Sequence, residues 1–274
     1  LQPNLSGRMS FKVKKRDGRF EEFDRNKIIK TCIKAGASFE TAKKVAEEVE
    51  KKIYDGISSD DLLEIVIDVL FKYEYCRGLR YDLKRSLLRL GPSGFAFEKF
   101  VGKLLEKHGY TVQNNVVMEG ECATHEVDVL AVDEKGKKYL VECKFHNLPS
   151  YTGLKDVMYT YARFLDLKDY FDFVWVFTNT KFSEEAKRYA KCRKIKLTGW
   201  NYPEVEGIES MLESKNLYPV TILKVDNSLI KAAIDLGFVF CSDIVEVGED
   251  ELQSRGLKKE VARKLYEEAK KVLC

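Results

Sequence analysis

Three side chains near the middle of the chain could do chemistry together: Asp128, Glu142 and Lys144, within the stretch HEVDVLAVDEKGKKYLVECKFH that runs from His125 to His146. Asp133-Glu134-Lys135-Gly136-Lys137 is a polar break between two runs of alternating and β-branched residues, which predicts a β-hairpin with a short loop. A turn centred on Lys135 sets Asp128 opposite Glu142, Glu126 opposite Lys144 and Leu130 opposite Leu140, all on one face. The other face then collects Val127, Val129, Ala131, Tyr139, Val141 and Cys143. A slip of one residue would push charge into that apolar face, so burial favours the same register. Directly opposed side chains have Cβ atoms about 4.5–5.5 Å apart, near enough for two carboxylates to share a divalent cation.

The chemistry that suits such a set is phosphodiester hydrolysis. Mg²⁺ takes hard oxygen ligands and keeps several waters, so two carboxylates and a phosphate satisfy it. Lys144, two residues after Glu142 on the same face, is placed to orient water or neutralise developing charge. The alternative is a solvated hairpin face carrying an ordinary ion pair.

The flanking elements must position these groups. Phe97, Phe100, Val101, Leu104, Leu105 and His108 make an apolar helical stripe ended by Gly109, and Glu98 lies in line with Val101 and Leu105 on its inward edge. Tyr110 to Met118 reads as a strand before the hairpin, and a helix from about Thr152 to Leu167 follows it. That helix is expected to bury Leu154, Val157, Met158, Tyr161 and Leu165, leaving Lys155, Tyr159 and Arg163 as candidate phosphate-backbone contacts. Phe173–Thr178 reads as a central strand, Ser183 as the cap of a helix over Glu184–Cys192, and Ile195–Thr198 as a closing strand. Arg188, Lys191, Arg193, Lys194 and Lys196 form a basic run that could follow a phosphate backbone, and Trp200-Asn201-Tyr202-Pro203 is either a base-stacking element or a buried aromatic turn.

Asp128 followed after a turn by Glu142-Cys143-Lys144 resembles the PD-(D/E)xK nuclease motif. Together with Gly94-Phe95-Ala96-Phe97-Glu98-Lys99-Phe100-Val101 and His108-Gly109-Tyr110, the stretch from Gly94 to Pro219 is similar to the Mrr-type restriction endonucleases, although Val127 stands where that motif has proline. The resemblance implies a restriction-endonuclease-like αβββαβ core and Mg²⁺-dependent cleavage of DNA. Asp128 and Glu142 would be metal ligands, Lys144 would assist water and phosphate, and Glu98 would be an accessory carboxylate.

Before this core, Phe11–Lys15 and Arg19–Phe23 flank Asp17-Gly18, a dipeptide suited to a tight hairpin turn, and Asp24 can cap a helix carrying Ile28, Ile29, Cys32 and Ile33. Further helical patterns lie at Glu40–Tyr54, Ser59–Phe71 and about Glu74–Leu88. The hairpin concentrates cations that are either a solvated face or an anion site. Val13-Lys14-Lys15-Arg16-Asp17-Gly18-Arg19, then Phe23-Asp24, Lys27-Ile28-Ile29 and Ile57-Ser58-Ser59-Asp60-Asp61-Leu62, are similar to the ATP-cone, a regulatory nucleotide-binding module. By that resemblance Val13, Lys14, Lys15, Arg16, Gly18, Arg19 and Lys27 are the candidates for contacting ATP or dATP. Converging cations and exposed amides suit a triphosphate, and the absence of G-x-x-x-x-G-K-[ST] argues for sensing without P-loop hydrolysis.

The 274 residues, 45% hydrophobic and 33% charged, suit a multi-domain α/β (α+β) protein. The expected domains are an ATP-cone over 11–90, a nuclease-like core over 91–224 and a small helical module over 225–274, with Leu90-Gly91-Pro92-Ser93-Gly94 as the first boundary. Leu1–Ser10 shows no pattern. In the last module Leu229, Ala232, Ala233 and Leu236 predict a helix ended by Gly237, and Val261, Ala262, Leu265, Ala269 and Val272 predict another. Asp250–Leu257 between them is distantly similar to a helix-hairpin-helix; a plain packing or dimerisation module is the alternative. A net charge of +3 confines any nucleic-acid surface to a local patch. No run of eighteen apolar residues and no signal peptide is apparent, so the expected setting is the cytoplasm and not a membrane. The seven cysteines are scattered without a C-x-x-C pair, favouring reduced thiols; Cys122-x-x-His125 and Cys143-x-x-His146 invite a zinc reading that the hairpin register opposes. The expected partners are DNA and ATP or dATP, with a homodimer left open. Two rivals are a nucleotide-sensing DNA-binding regulator that does not cut, and a nuclease for RNA or branched DNA.

Overall fold

The computed structural model describes residues 11–15, 17–81, 83–90, 94–147 and 150–273, with backbone only at 94 and 95. Arg16, the Gly91–Ser93 boundary and the stretch Leu1–Ser10 therefore lie outside the described residues. The chain divides into two compact units, one reaching to Leu83 and including the chain from Glu267 onward, the other Lys84–Tyr266.

In the first unit, β1 (Lys12–Lys14) and β2 (Phe20–Glu22) form the antiparallel hairpin predicted around Asp17-Gly18, with Gly18 at φ 85° where a side chain would be strained. Four helices follow: α1 (Arg25–Lys34), α2 (Phe39–Glu50), α3 (Ser59–Tyr73) and α4 (Tyr75–Tyr81). Asp24 caps α1 through Asn26 N, Ser38 caps α2 through Thr41 N, and Ser58 caps α3 through Asp61 N. Between α2 and α3 a two-residue strand, β3 (Ile57–Ser58), runs parallel to β1 and completes a sheet of order β2-β1-β3. Such a strand is too short for any alternation to announce it. Val13, Ile28, Cys32, Val45, Val49, Ile57, Val66 and Leu70 make one core, so the basic hairpin is fastened to the helices through Val13. The helix expected over Glu74–Leu88 is two helices, α4 and α5 (Leu83–Leu88). Cys32, Cys122, Cys143, Cys192 and Cys241 are free thiols as expected, but Cys76 is disulfide-bonded; no cysteine lies near it in sequence, so spacing carried no sign of the bond.

The second unit is built on a five-stranded mixed sheet of order β10-β8-β6-β5-β4. Its elements are α6 (Gly94–Lys107), β4 (Thr111–Glu119), β5 (Thr124–Val132), β6 (Lys138–Lys144), β7 (Tyr151–Thr152), α7 (Leu154–Asp166), β8 (Phe173–Thr178), β9 (Lys181–Phe182), α8 (Glu184–Arg193) and β10 (Lys196–Thr198). β4, β5 and β6 are antiparallel; β8 and β10 run parallel to β6, reached by crossover helices as parallel pairing requires. The order is the αβββαβ expected from the hydrophobic patterns. β7 and β9 make a separate parallel pair.

The β5–β6 ladder pairs Val129 with Val141, Leu130 with Leu140, Ala131 with Tyr139 and Val132 with Lys138, the register set by a turn centred on Lys135. It stops there, so the expected Asp128–Glu142 and Glu126–Lys144 ladder pairs are not formed as such. Val127 also departs from expectation. It is buried in the cluster of Leu140, Val157, Val174 and Val176, not with Val129, Ala131 and Val141. Beside it, the β4–β5 ladder omits the pair Asn115–Asp128, and Asn115 stands at φ 54°.

The α6 stripe of Phe97, Phe100, Val101, Leu104 and Leu105 is fully buried, and Gly109 at φ 89° follows its end. On α7, Val157 is buried but Met158 and Leu165 are exposed, against expectation; the helix turns Thr160 inward instead. Trp200 is buried, which fits the aromatic-turn alternative. Beyond the sheet come α9 (Ile208–Ser214), a 3-10 turn at Val220–Ile222, α10 (Asn227–Asp235), α11 (Cys241–Ser254, broken at Gly248) and α12 (Lys259–Val272). Arg89 clips the irregular stretch before α10 by donating to the carbonyls of Thr221, Leu223 and Val225. Among the described residues no helix is long and apolar enough to cross a membrane.

Candidate functional site

Asp128 sits where the β5–β6 ladder ends, and the end of the ladder explains its bonding. Its Oδ2 accepts from the Cys143 backbone N–H at 2.7 Å, a donor that regular pairing would have used. Glu142, on β6, is almost fully buried; its Oε1 accepts from Lys144 Nζ at 2.6 Å and its Oε2 from Arg163 Nη1 at 2.5 Å. Burial, then the nearby Glu142 carboxylate, push Asp128 up to about 7, with Glu98 adding to the push while the Cys143 amide and Arg163 oppose it. Glu142 and Glu98 therefore both lie within electrostatic reach of Asp128, and Lys144 joins them through Glu142.

Lys144 is held above the usual lysine range: burial works against its charge, but the Glu142 carboxylate more than offsets this. It is a fixed cation at neutral pH and no general base. Arg163, projecting from α7, reads in the sequence as ordinary surface or a phosphate-backbone contact; the structure turns it onto Glu142. Nothing in the spacing linked the two, because their approach depends on how α7 crosses the sheet.

Glu98 is half-buried near the start of α6. Its Oε2 accepts from Asn115 Nδ2 at 2.7 Å, and its backbone carbonyl from Asn114 Nδ2 at 2.9 Å. Among the described residues no three His, Cys, Asp or Glu side chains converge as a ready ligand set. The donor chemistry still fits a hard divalent ion that keeps several waters: two carboxylates, Asp128 and Glu142, with the charge of Glu98 near Asp128. The zinc pattern is not assembled. Cys143 is buried, His146 Nε2 meets Thr152 Oγ1 at 2.9 Å, and His125 Nε2 meets Asp166 Oδ2 at 2.7 Å. That bond, with those from Cys122 and Ala123, holds Asp166 down at about 2. The basic run of α8 and β10 is partly engaged, with Lys196 Nζ 3.9 Å from the Trp175 ring centre and 3.4 Å from Glu206.

The first unit holds a cavity of about 250 Å³ beside the basic hairpin. Val13, Lys15 and Lys27 line it; Lys14, Gly18 and Arg19 do not, and Arg19 is instead paired with Asp17 at 2.7 Å. The wall also includes Glu21, Asp24, Thr31, Ser59, Leu62 and Tyr81, whose convergence from β2, α1, α3 and α4 only the fold reveals. Glu21 Oε2 takes both cations of the wall, Lys15 at 3.1 Å and Lys27 at 3.4 Å, so a carboxylate occupies the place where the site is most positive.

Comparison with known proteins divides the chain in three. The ATP cone domain family matches residues 11–84, a restriction endonuclease family matches 91–201, and the AF1548-like C-terminal family matches 218–273. An uncharacterized protein of Archaeoglobus fulgidus is 54% identical over 174 residues, covering 63% of this chain and 99% of that protein. The crystal structure of AF1548, a protein of unknown function, superposes with a TM-score of 0.62 at 53% identity, over 66% of this chain and 98% of the other. The transcriptional repressor NrdR of Caldicellulosiruptor bescii is 40% identical over 77 residues, 25% of this chain and 50% of the repressor.

Proposed function

The chain belongs to the AF1548-like family, here with an ATP cone domain ahead of a restriction endonuclease domain, and we propose that it is a Mg²⁺-dependent DNA endonuclease regulated by ATP or dATP. The observation that carries this reading is the grouping of Asp128, Glu142 and Lys144 at the end of the β5–β6 ladder, where the Glu142 and Glu98 carboxylates add negative charge near Asp128. Asp128 and Glu142 would hold the ion, and Glu98 would contribute charge beside them. Such an ion would supply polarisation of the phosphoryl oxygen and a more acidic water at the phosphorus. Lys144, already protonated, orients the scissile phosphate and neutralises charge as the transition state forms. Glu142, bonded to Lys144 through Oε1 and to Arg163 through Oε2, would offer the ion a carboxylate held in place by both cations.

Nucleotide enters the cavity lined by Val13, Lys15 and Lys27, its phosphates displacing Glu21 from the two lysines. Regulation requires that bound nucleotide favour one of two states of the protein. The working site is intracellular, where ATP is present. Incubation of plasmid, branched DNA and RNA with Mg²⁺, with and without ATP, tests the reading: cleavage of duplex plasmid whose rate changes with ATP is expected. Selective cutting of RNA or branched DNA would move the substrate class, and no cutting of any polymer would reject the nuclease reading.

One observation favours a second reading. Both Glu142 oxygens are already paired with cations, and part of the chain is similar to a transcriptional repressor. A nucleotide-sensing regulator would bind DNA with a strong salt dependence and leave it intact.

A further inference from the structure

In a regular strand neighbouring side chains point to opposite faces, so Asn114 and Asn115 on β4 should reach different partners. Both reach Glu98, and Asn114 Nδ2 also donates to the Asp128 carbonyl at 3.5 Å. Asn114 Nδ2 donates to the Glu98 carbonyl at 2.9 Å, and Asn115 Nδ2 donates to the Glu98 carboxylate at 2.7 Å and to Glu126 Oε1 at 3.4 Å. The backbone makes this convergence possible: Asn115 sits at φ 54°, in the left-handed region, within a strand whose pairing is otherwise regular. The omitted pair is Asn115–Asp128, so the irregularity lies directly across from the acid at the centre of the proposed site. Left-handed backbone is uncommon inside a strand, and asparagine is among the few residues with a side chain that adopt it readily, so the residue type suits the position. Close packing of α6 on β4 contributes, since a Cβ at Gly102 would come within 2.6 Å of Asn114 Oδ1.

The geometry points to Asn115 as a positioning residue that holds the Glu98 carboxylate beside the Asp128–Glu142 cation site. This rests on the metal-site reading above and adds to it the residue that fixes the third acid. The mechanism is indirect: the amide restrains Glu98, and Glu98 supplies the charge. A second function follows from the same contact, because one amide shared between Glu98 and Glu126 keeps the two acids in a fixed arrangement.

Asn115→Gly separates this role from a structural one, because glycine accepts φ 54° without strain while removing the amide. The probe is Mn²⁺ alone, titrated into the full chain by calorimetry and followed by its electron paramagnetic resonance signal, with thermal melting measured beside it. Asn115→Gly is expected to melt at or above the wild-type temperature yet bind Mn²⁺ roughly 10-fold more weakly, the lower range for loss of a supporting partner. Glu98→Gln should weaken binding similarly, and the double variant no further, since both changes interrupt one chain of contacts. Wild-type affinity in Asn115→Gly, or fully additive losses in the double variant, would overturn the inference while leaving the metal site standing. Equal Mn²⁺ binding by wild type and Asp128→Ala would instead remove the metal-site reading, and the inference with it.

Discussion

The cavity beside the basic hairpin and the acid cluster of the sheet each bring opposite charges together, but at very different depth. In the first, Lys15 and Lys27 share Glu21, and their side chains are 35%, 66% and 44% exposed. In the second, Glu142 is 4% exposed, Arg163 10% and Lys144 29%. Exposed pairs are worth little and exchange partners easily. Buried pairs add little net stability but are expensive to break. The hairpin site is therefore suited to trading its carboxylate for a ligand's phosphates, whereas the sheet site is suited to holding its groups fixed for chemistry.

The largest test of that contrast removes one partner from the buried set. Arg163→Ala leaves Glu142 buried with one oxygen unpaired and is expected to lower unfolding free energy by roughly 3–5 kcal/mol in a urea titration. A loss below about 1 kcal/mol, typical of surface pairs, would place Arg163 outside any buried anchor. The double variant Lys15→Ala, Lys27→Ala should change stability without nucleotide by no more than about 1 kcal/mol, yet abolish measurable ATP binding by calorimetry.

Protonation gives an intermediate effect. Asp128 is pushed up to about 7, against an unfolded value of about 3.9. The folded state thus holds this proton more tightly than the unfolded one, so without metal the protein should lose stability as pH rises from about 4 to about 7, with the loss complete above that window. Melting temperatures across the window should fall for wild type and fall less for Asp128→Asn, which cannot ionise; parallel curves would refute the assignment. Added Mg²⁺ should reverse the wild-type fall near neutral pH.

The smallest effect concerns the hairpin's outer cations. Lys14 and Arg19 are not in the cavity wall, so Lys14→Ala, Arg19→Ala should weaken ATP binding less than Lys15→Ala, Lys27→Ala. The reverse order would show that bound nucleotide reaches over the turn.

What could be read from the residues alone followed from periodicity. Leu130 faces Leu140 because a slip would bury charge, and Ser183 and Asp24 cap helices because their side chains satisfy amides that the helix leaves open. The motif Asp128, Glu142, Lys144 is local to one hairpin, and so it was visible. Arg163 on Glu142 and Glu21 between Lys15 and Lys27 were not, since each depends on how separate elements cross. Met158 and Leu165 misled because α7 spans Leu154–Asp166 with Thr160 inward, so apolar character alone gave the wrong face. Asn115 carried a weak signal: asparagine tolerates left-handed backbone, but nothing local requires it inside a strand.

The most direct measurement is single-turnover cleavage of supercoiled plasmid by wild type, Asp128→Ala and Lys144→Ala at neutral pH with Mg²⁺. The account predicts nicking by wild type that chelation with EDTA stops, and a rate at least about 100-fold lower in each variant. Undiminished cleavage in both variants would contradict it, because the scission would then come from groups other than the acids and lysine at the end of the hairpin.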